Sequence, residues 1–302
     1  MPSALADSCI TSQGLLEGPT KKASALHFWS FRMLETEVYR VLWLGARHGH
    51  DSFEKWVDDI LTRLHAWHEK AQGFASEQKL TFRDVQLNFL RMRLHRPTPH
   101  NLSPSQDFRL EAVLATFRLS DDYLQQLQQG RLYYPWHAVH ICFESAVVLA
   151  DSAWQCAEHL SKHVRPEEMI KHMQNHLQIL TKLDELWHGV RGCVSSLETL
   201  IKPVIARLEL VSYGLLLNAV DNEMTRRLNS FLFPDRDDRK AIDHFNTYTD
   251  FDDTATVQEH LYLNNDLTDF SWDLDDVSLY QIFDMQANPL ELSGLFDMGS
   301  NI

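Results

Sequence analysis

Apolar residues recur three and four positions apart through most of the chain, and that spacing predicts helices. Phe31, Leu34, Val38 and Val41 share one face of a helix that is under way by Phe28. Phe53, Trp56, Val57, Ile60, Leu61, Leu64 and Trp67 trace the cleanest amphipathic run. Asp51 or Ser52 can cap its start, with Glu54 close behind. Phe82, Val85, Phe89 and Met92 define a third helix, which ends near His95 because Pro97 forbids a further turn and restricts Arg96. Three prolines between Arg96 and Ser105 predict a loop. Helical spacing resumes through Leu110, Val113, Leu114 and Phe117, and a separate short helix is expected from Ser120 to a stop at Gly130.

Pro135 precedes a long, mostly apolar helix through Val139, Phe143, Val147 and Trp154. Its small residues Ala146, Ala150, Ala153 and Ala157 predict close helix–helix approach. Pro166 with Glu167 and Glu168 makes a favourable first turn, and Ile170, Met173, Leu177 and Leu180 give that helix a buried face. Val190, Val194, Leu197, Ile201, Val204 and Leu208 carry the next, and a last helix is expected from Val211 to Phe231. No strand-like alternation persists over a useful length, and no long period repeats. The expected fold is all-α: a multi-helix bundle of about eight to ten helices, followed by a largely disordered acidic tail. The expected organisation is a disordered segment over 1–24, a helical domain over 25–232 and an acidic-aromatic tail over 233–302.

Charge changes this picture most at the C-terminal end. Beyond Lys240 there are thirteen Asp and Glu and no Lys or Arg, against a formal net charge of -14 for all 302 residues. The rest of the chain is therefore close to neutral. Nine aromatic residues, Phe270, Trp272 and Phe283 among them, are interleaved with those acids. Acids mixed with large apolar groups suit a segment that folds on a partner. If helical, Leu267, Phe270, Trp272, Leu274, Leu279, Ile282 and Phe283 form an amphipathic stretch for a partner's groove, and these are the candidate coactivator contacts. The competing reading docks the same stretch on the chain's own bundle as a final helix.

Other chemistry is weakly supported. Cys9, Cys142, Cys156 and Cys193 form no CxxC pair, so neither a disulfide framework nor a thiolate zinc site is expected. His159/His163 and His172/His176 stand one turn apart, but neither pair has the Glu of an HExxH site, and solvated or core-edge histidines are expected. Trp136, His137 and His140 form a candidate ligand or interface pocket, with an ordinary helix edge as the alternative. Arg91, Arg93, His95 and Arg96 are the densest basic cluster and read as a solvated helix face, so no direct nucleic-acid contact is expected. Nucleophile elbows and glycine-rich phosphate loops are missing, which argues against an enzyme; no cofactor and no metal are expected. Met1–Gly18 lacks the pattern of a secretory leader, and no membrane span is expected.

The stretch Leu90–Asn101, containing Leu94, Arg96, Pro97 and Pro99, resembles the "L-x-L-x-RPSP" element of fungal transcription factors of the binuclear zinc cluster class. Trp56–Trp67 is similar to the helix preceding that element, Tyr134–Ala146 to a later one, and Leu177–Leu208 with Trp187 to one near the domain's end. The six-cysteine cluster and the upstream half of the helical domain are missing, so no DNA-binding residue carries over. The resemblance implies the C-terminal part of a helical regulatory domain in a nuclear regulator of RNA polymerase II genes, of the kind that controls metabolic or secondary-metabolite gene sets. Implied partners are a coactivator or the general transcription machinery, and a DNA-binding zinc-cluster protein or a second copy of the chain. A helical scaffold or corepressor-like protein, competing for the partners of full-length regulators, is the alternative.

Overall fold

The computed structural model describes residues 10–11, 14–15, 23–73, 83–130, 132, 134–215 and 221–233. Two short strands, β1 (Ile10–Thr11) and β2 (Gly14–Leu15), pair antiparallel within the segment expected to be disordered. Eight α-helices follow among the described residues: α1 (Ala23–Leu42), α2 (Phe53–Gln72), α3 (Arg83–His95), α4 (Gln106–Gln128), α5 (Pro135–Leu160), α6 (Pro166–Leu186), α7 (Arg191–Ser212) and α8 (Asn222–Leu232). The protein is all-α, as its periodicity predicts. Residues 234–302, with every candidate coactivator contact, lie outside the described residues.

Local chemistry sets most helix ends. The Ser52 hydroxyl accepts from the Lys55 amide, and Ser105 does the same for Phe108, each at 3.2 Å. Pro135 and Pro166 occupy first-turn positions where a missing N–H costs nothing. Gly130 turns the chain after α4 with φ of 62°, a conformation that disfavours side chains.

Two boundaries differ from expectation. Ser120 starts no helix: α4 runs unbroken through it, because its buried hydroxyl bonds back to the Phe117 carbonyl at 2.9 Å instead of capping a new turn. The last expected helix is also not continuous from Val211. Gly214 takes φ of 68° just after α7, and Asp221 caps a new start for α8 by accepting from the Glu223 amide. Trp187, in turn, leaves helical geometry and separates α6 from a 3-10 turn over His188–Val190 that leads into α7.

The helices enclose two hydrophobic clusters. The larger is centred on α5, which packs against α4, α6, α7 and α8. Ala146, Ala150 and Ala153 are fully buried on α5, so these backbones approach closely, as the small-residue spacing predicts. The smaller cluster joins α1 and α2 through Phe31, Val38, Trp56, Ile60 and Leu64. α3 serves both: Val85 and Met92 enter the large cluster, while Leu90 and Leu94 enter the small one. This outer pair of helices is thus a layer laid on the bundle, with α3 as the shared wall.

Candidate functional site

The basic cluster at the end of α3 is not a solvated face. Arg96 and His95 are buried, and Arg93 keeps only 20 % of its side chain exposed. Pro97 stops α3 and turns Arg96 inward, where its guanidinium meets Glu144 of α5 at 2.6 Å. A second nitrogen of Arg96 donates to the Leu232 carbonyl at the end of α8 at 2.5 Å, and the plane lies 5.2 Å from the Trp43 ring centre. Arg93 grips the same carboxylate through two nitrogens at 3.2 and 2.9 Å. Two cations on one anion leave a surplus positive charge, which the negative end of the α8 dipole faces through Leu232. Burial alone would raise the Glu144 carboxyl; the charges and hydrogen bonds of Arg93 and Arg96 outweigh it and hold the group below the usual range. Arg109 and Asp151 form a second buried ion pair on α4 and α5.

Each residue of the family-like element has a distinct place here. Leu94 fills the outer cluster, Arg96 ties three segments together, Pro97 is buried, and Pro99 is exposed. The His100 amide donates to the Leu42 carbonyl at 3.1 Å, so the loop also clasps the end of α1. Phe233 reaches this corner too, its ring centre 6.2 Å from that of Trp43. The residue that follows α8 is therefore fastened beside the C-terminal end of α1.

Trp136, His137 and His140 come together at the first turns of α5. The Trp136 and His137 rings stack at 4.0 Å, and His140 meets Trp136 edge-on at 5.5 Å. Burial lowers His140 to about 4, with His137 adding to the effect, so it is neutral at pH 7. His137 is lowered by the same cause. Neutral imidazoles here can exchange hydrogen bonds but offer little charge to an anion.

The other histidine pairs divide. His159, in the last turn of α5, and His163, exposed in the turn that follows, have ring centres 5.2 Å apart. His172 and His176 are in the core, contrary to expectation, because α6 turns that face onto α4. His172 stacks on Phe117 at 4.0 Å and meets the Ser120 hydroxyl at 2.6 Å. His176 is fully buried; apart from a loose contact with the Thr116 backbone, its ring nitrogens lack hydrogen-bond partners among the described residues. Among those residues no group of three His, Cys, Asp or Glu is placed to hold a metal ion. Cys142, Cys156 and Cys193 are free thiols. No described helix is long and apolar enough to cross a membrane.

An open cleft of about 420 Å³, which periodicity gave no hint of, lies between α1 and α2. Trp67 and His27 stack in parallel on its wall at 4.8 Å, and Met33, Leu34, Arg63 and Lys70 are among the other lining residues. The Trp67 indole and the Ser30 hydroxyl both donate to the His27 carbonyl, at 2.8 and 2.7 Å, which stiffens that wall. At the other end Arg63 closes on Glu37 through two bonds of 2.9 and 2.8 Å.

Comparison with models of protein families, with curated proteins and with solved structures found no match to this chain. The class that fold and site define is a helical bundle with an outer helix pair and a buried arginine–glutamate junction.

Proposed function

We propose that this chain is a nuclear transcription regulator of fungal type, acting on RNA polymerase II genes without reading DNA itself. The helical body is its regulatory and protein-contact domain. The acidic-aromatic segment recruits a coactivator or the general machinery through Leu267, Phe270, Trp272, Leu274, Leu279, Ile282 and Phe283. Contact with DNA comes from a partner, such as a zinc-cluster protein. The observation that carries the reading is charge segregation: thirteen acids without one base, interleaved with nine aromatics, attached to a nearly neutral body. Such a segment is soluble when unbound and is steered toward a basic rim on its partner. The resemblance of Leu90–Asn101 to the fungal element supports the class of body.

The test is a reporter in which residues 241–302 are tethered to an unrelated DNA-binding domain. The tethered segment should activate, and replacing Phe270, Trp272 and Phe283 together with Ala should abolish activation. A silent segment, or one indifferent to that triple replacement, would turn the reading to the scaffold alternative.

A further inference from the structure

The cleft between α1 and α2 has chemistry that matches a segment of this same chain. Its walls are apolar and aromatic at Met33, Leu34 and Trp67, and Met33 is 57 % exposed at the rim. Trp29, one turn before Met33 on α1, is 50 % exposed and extends that apolar rim. The end near His27 is electropositive for two separate reasons. Lys70 lines it and makes no ion pair among the described residues. α1 also carries no acidic residue in its own first turn, so the helix itself supplies no carboxylate against the positive end of its dipole. At the far end Arg63 bridges Glu37 and Asp59, so that end carries a surplus negative charge and turns a carboxylate toward Lys70 instead. An aromatic side chain flanked by carboxylates fits such a slot: ring against Trp67 and Met33, carboxylate toward Lys70.

Phe270 and Trp272 lie between Asp269 and Asp273, in a segment with no competing cation. Reach is also satisfied. The described residues end at Phe233, against Trp43, which immediately follows the last residue of α1. The cleft residues from Glu37 back to His27 lie about 8 to 23 Å along α1 from that end. A random chain as long as the 33 residues from 234 to 266 would have an r.m.s. span of about 30 Å. The connector therefore matches the distance, which is the condition for a high effective concentration.

We propose that residues 267–283 dock in cis in the α1–α2 cleft and so mask themselves from other partners. This deepens the proposed function by adding a self-occluded state, and it requires only that the segment bind, whether or not it activates. At an effective concentration on the order of 1 mM, an intrinsic Kd on the order of 100 µM would suffice to favour the docked state about tenfold.

The test is amide hydrogen exchange on the full chain, wild type against a Met33→Glu, Lys70→Glu double variant. Both positions are exposed, so the variant should keep its helical circular dichroism and melting curve. Residues 267–283 should exchange about tenfold more slowly in the wild type than in the variant at every protein concentration. Equal, unprotected exchange in both proteins would overturn the proposal. Protection that survives the double variant would place the segment elsewhere and overturn it as well. Protection that rises with protein concentration would mean docking on a second copy, not in cis. A tethered full chain gives an independent reading: if the segment is an activator, the double variant should raise reporter output. A silent reporter together with variant-sensitive protection would retain the docking and remove only the activator role.

Discussion

The bundle around α5 and the outer α1–α2 pair are both helical and both bury histidine, but they treat ions in opposite ways. In the bundle, charges and imidazoles are taken inside: Glu144, Asp151, Arg109, His172 and His176 are all buried. In the outer pair the ions stay at the edge, with Arg63 and Glu37 each about two-fifths exposed. A buried group loses its hydration and depends wholly on its partners, whereas an exposed one is screened by water and salt. The bundle therefore depends on pairing inside a dry core, whereas the outer pair keeps its ions hydrated and leaves a cleft open.

The largest effect should come from the junction between the two. Glu144→Ala leaves the guanidinium groups of Arg93 and Arg96 without their anion and should cost about 3–5 kcal/mol of stability, measured by urea unfolding. A loss below about 1 kcal/mol would show that the junction is not the dry, paired site described here.

A smaller effect, with a definite sign in pH, should come from His176. Burial lowers its pKa to about 3, against 6.5 unfolded. The unfolded chain therefore binds a proton that the folded one refuses throughout that window. Stability from this group is full above pH 6.5 and falls as pH drops toward 3. At pH 5 the loss is about 2 kcal/mol relative to pH 7. Asp122 acts in the opposite sense, because burial and the nearby Asp84 and Asp121 raise it to about 6, so it favours the fold as pH falls below that value. His172, lowered by burial beside Asp121, Lys171, Glu168 and Arg118, adds to the His176 slope. The difference between wild type and His176→Leu isolates the single group: the variant should lose less stability between pH 7 and pH 5. Parallel pH profiles would mean that His176 is hydrated or paired in solution.

The smallest effect belongs to the outer pair. Glu37→Gln keeps an oxygen to accept from the Trp56 indole, a bond of 3.2 Å, while removing one of the two carboxylates that Arg63 meets and leaving Asp59. It should cost under about 1 kcal/mol, and the cost should shrink in high salt. A loss as large as that of Glu144→Ala would break the contrast between the two regions.

Much of this was legible in the order of residues. The apolar spacing of Phe31–Val41 and Phe53–Trp67, the caps at Ser52, and the prolines at 97, 135 and 166 set helices close to where they occur, because they act within one or two turns. The alanines of α5 announced close packing for the same local reason. Ser120 misled, since a serine reads as a cap until burial shows its hydroxyl turned back on its own helix, and the helix expected from Val211 to Phe231 is interrupted at Gly214. The cluster of Arg93 and Arg96 misled more deeply. Its partners, Glu144 and the Leu232 carbonyl, lie 48 and 136 residues away from Arg96, and no local pattern links them.

Sequence by itself determined that this protein is helical, where its acids are gathered, and that its body is near neutrality, because propensity, periodicity and charge are sums over neighbouring residues. Only the tertiary structure decided which histidines are dry, which arginines are structural, and that a cleft stays open beside Trp67. Those properties depend on which faces meet, and faces meet through contacts between residues far apart in the chain.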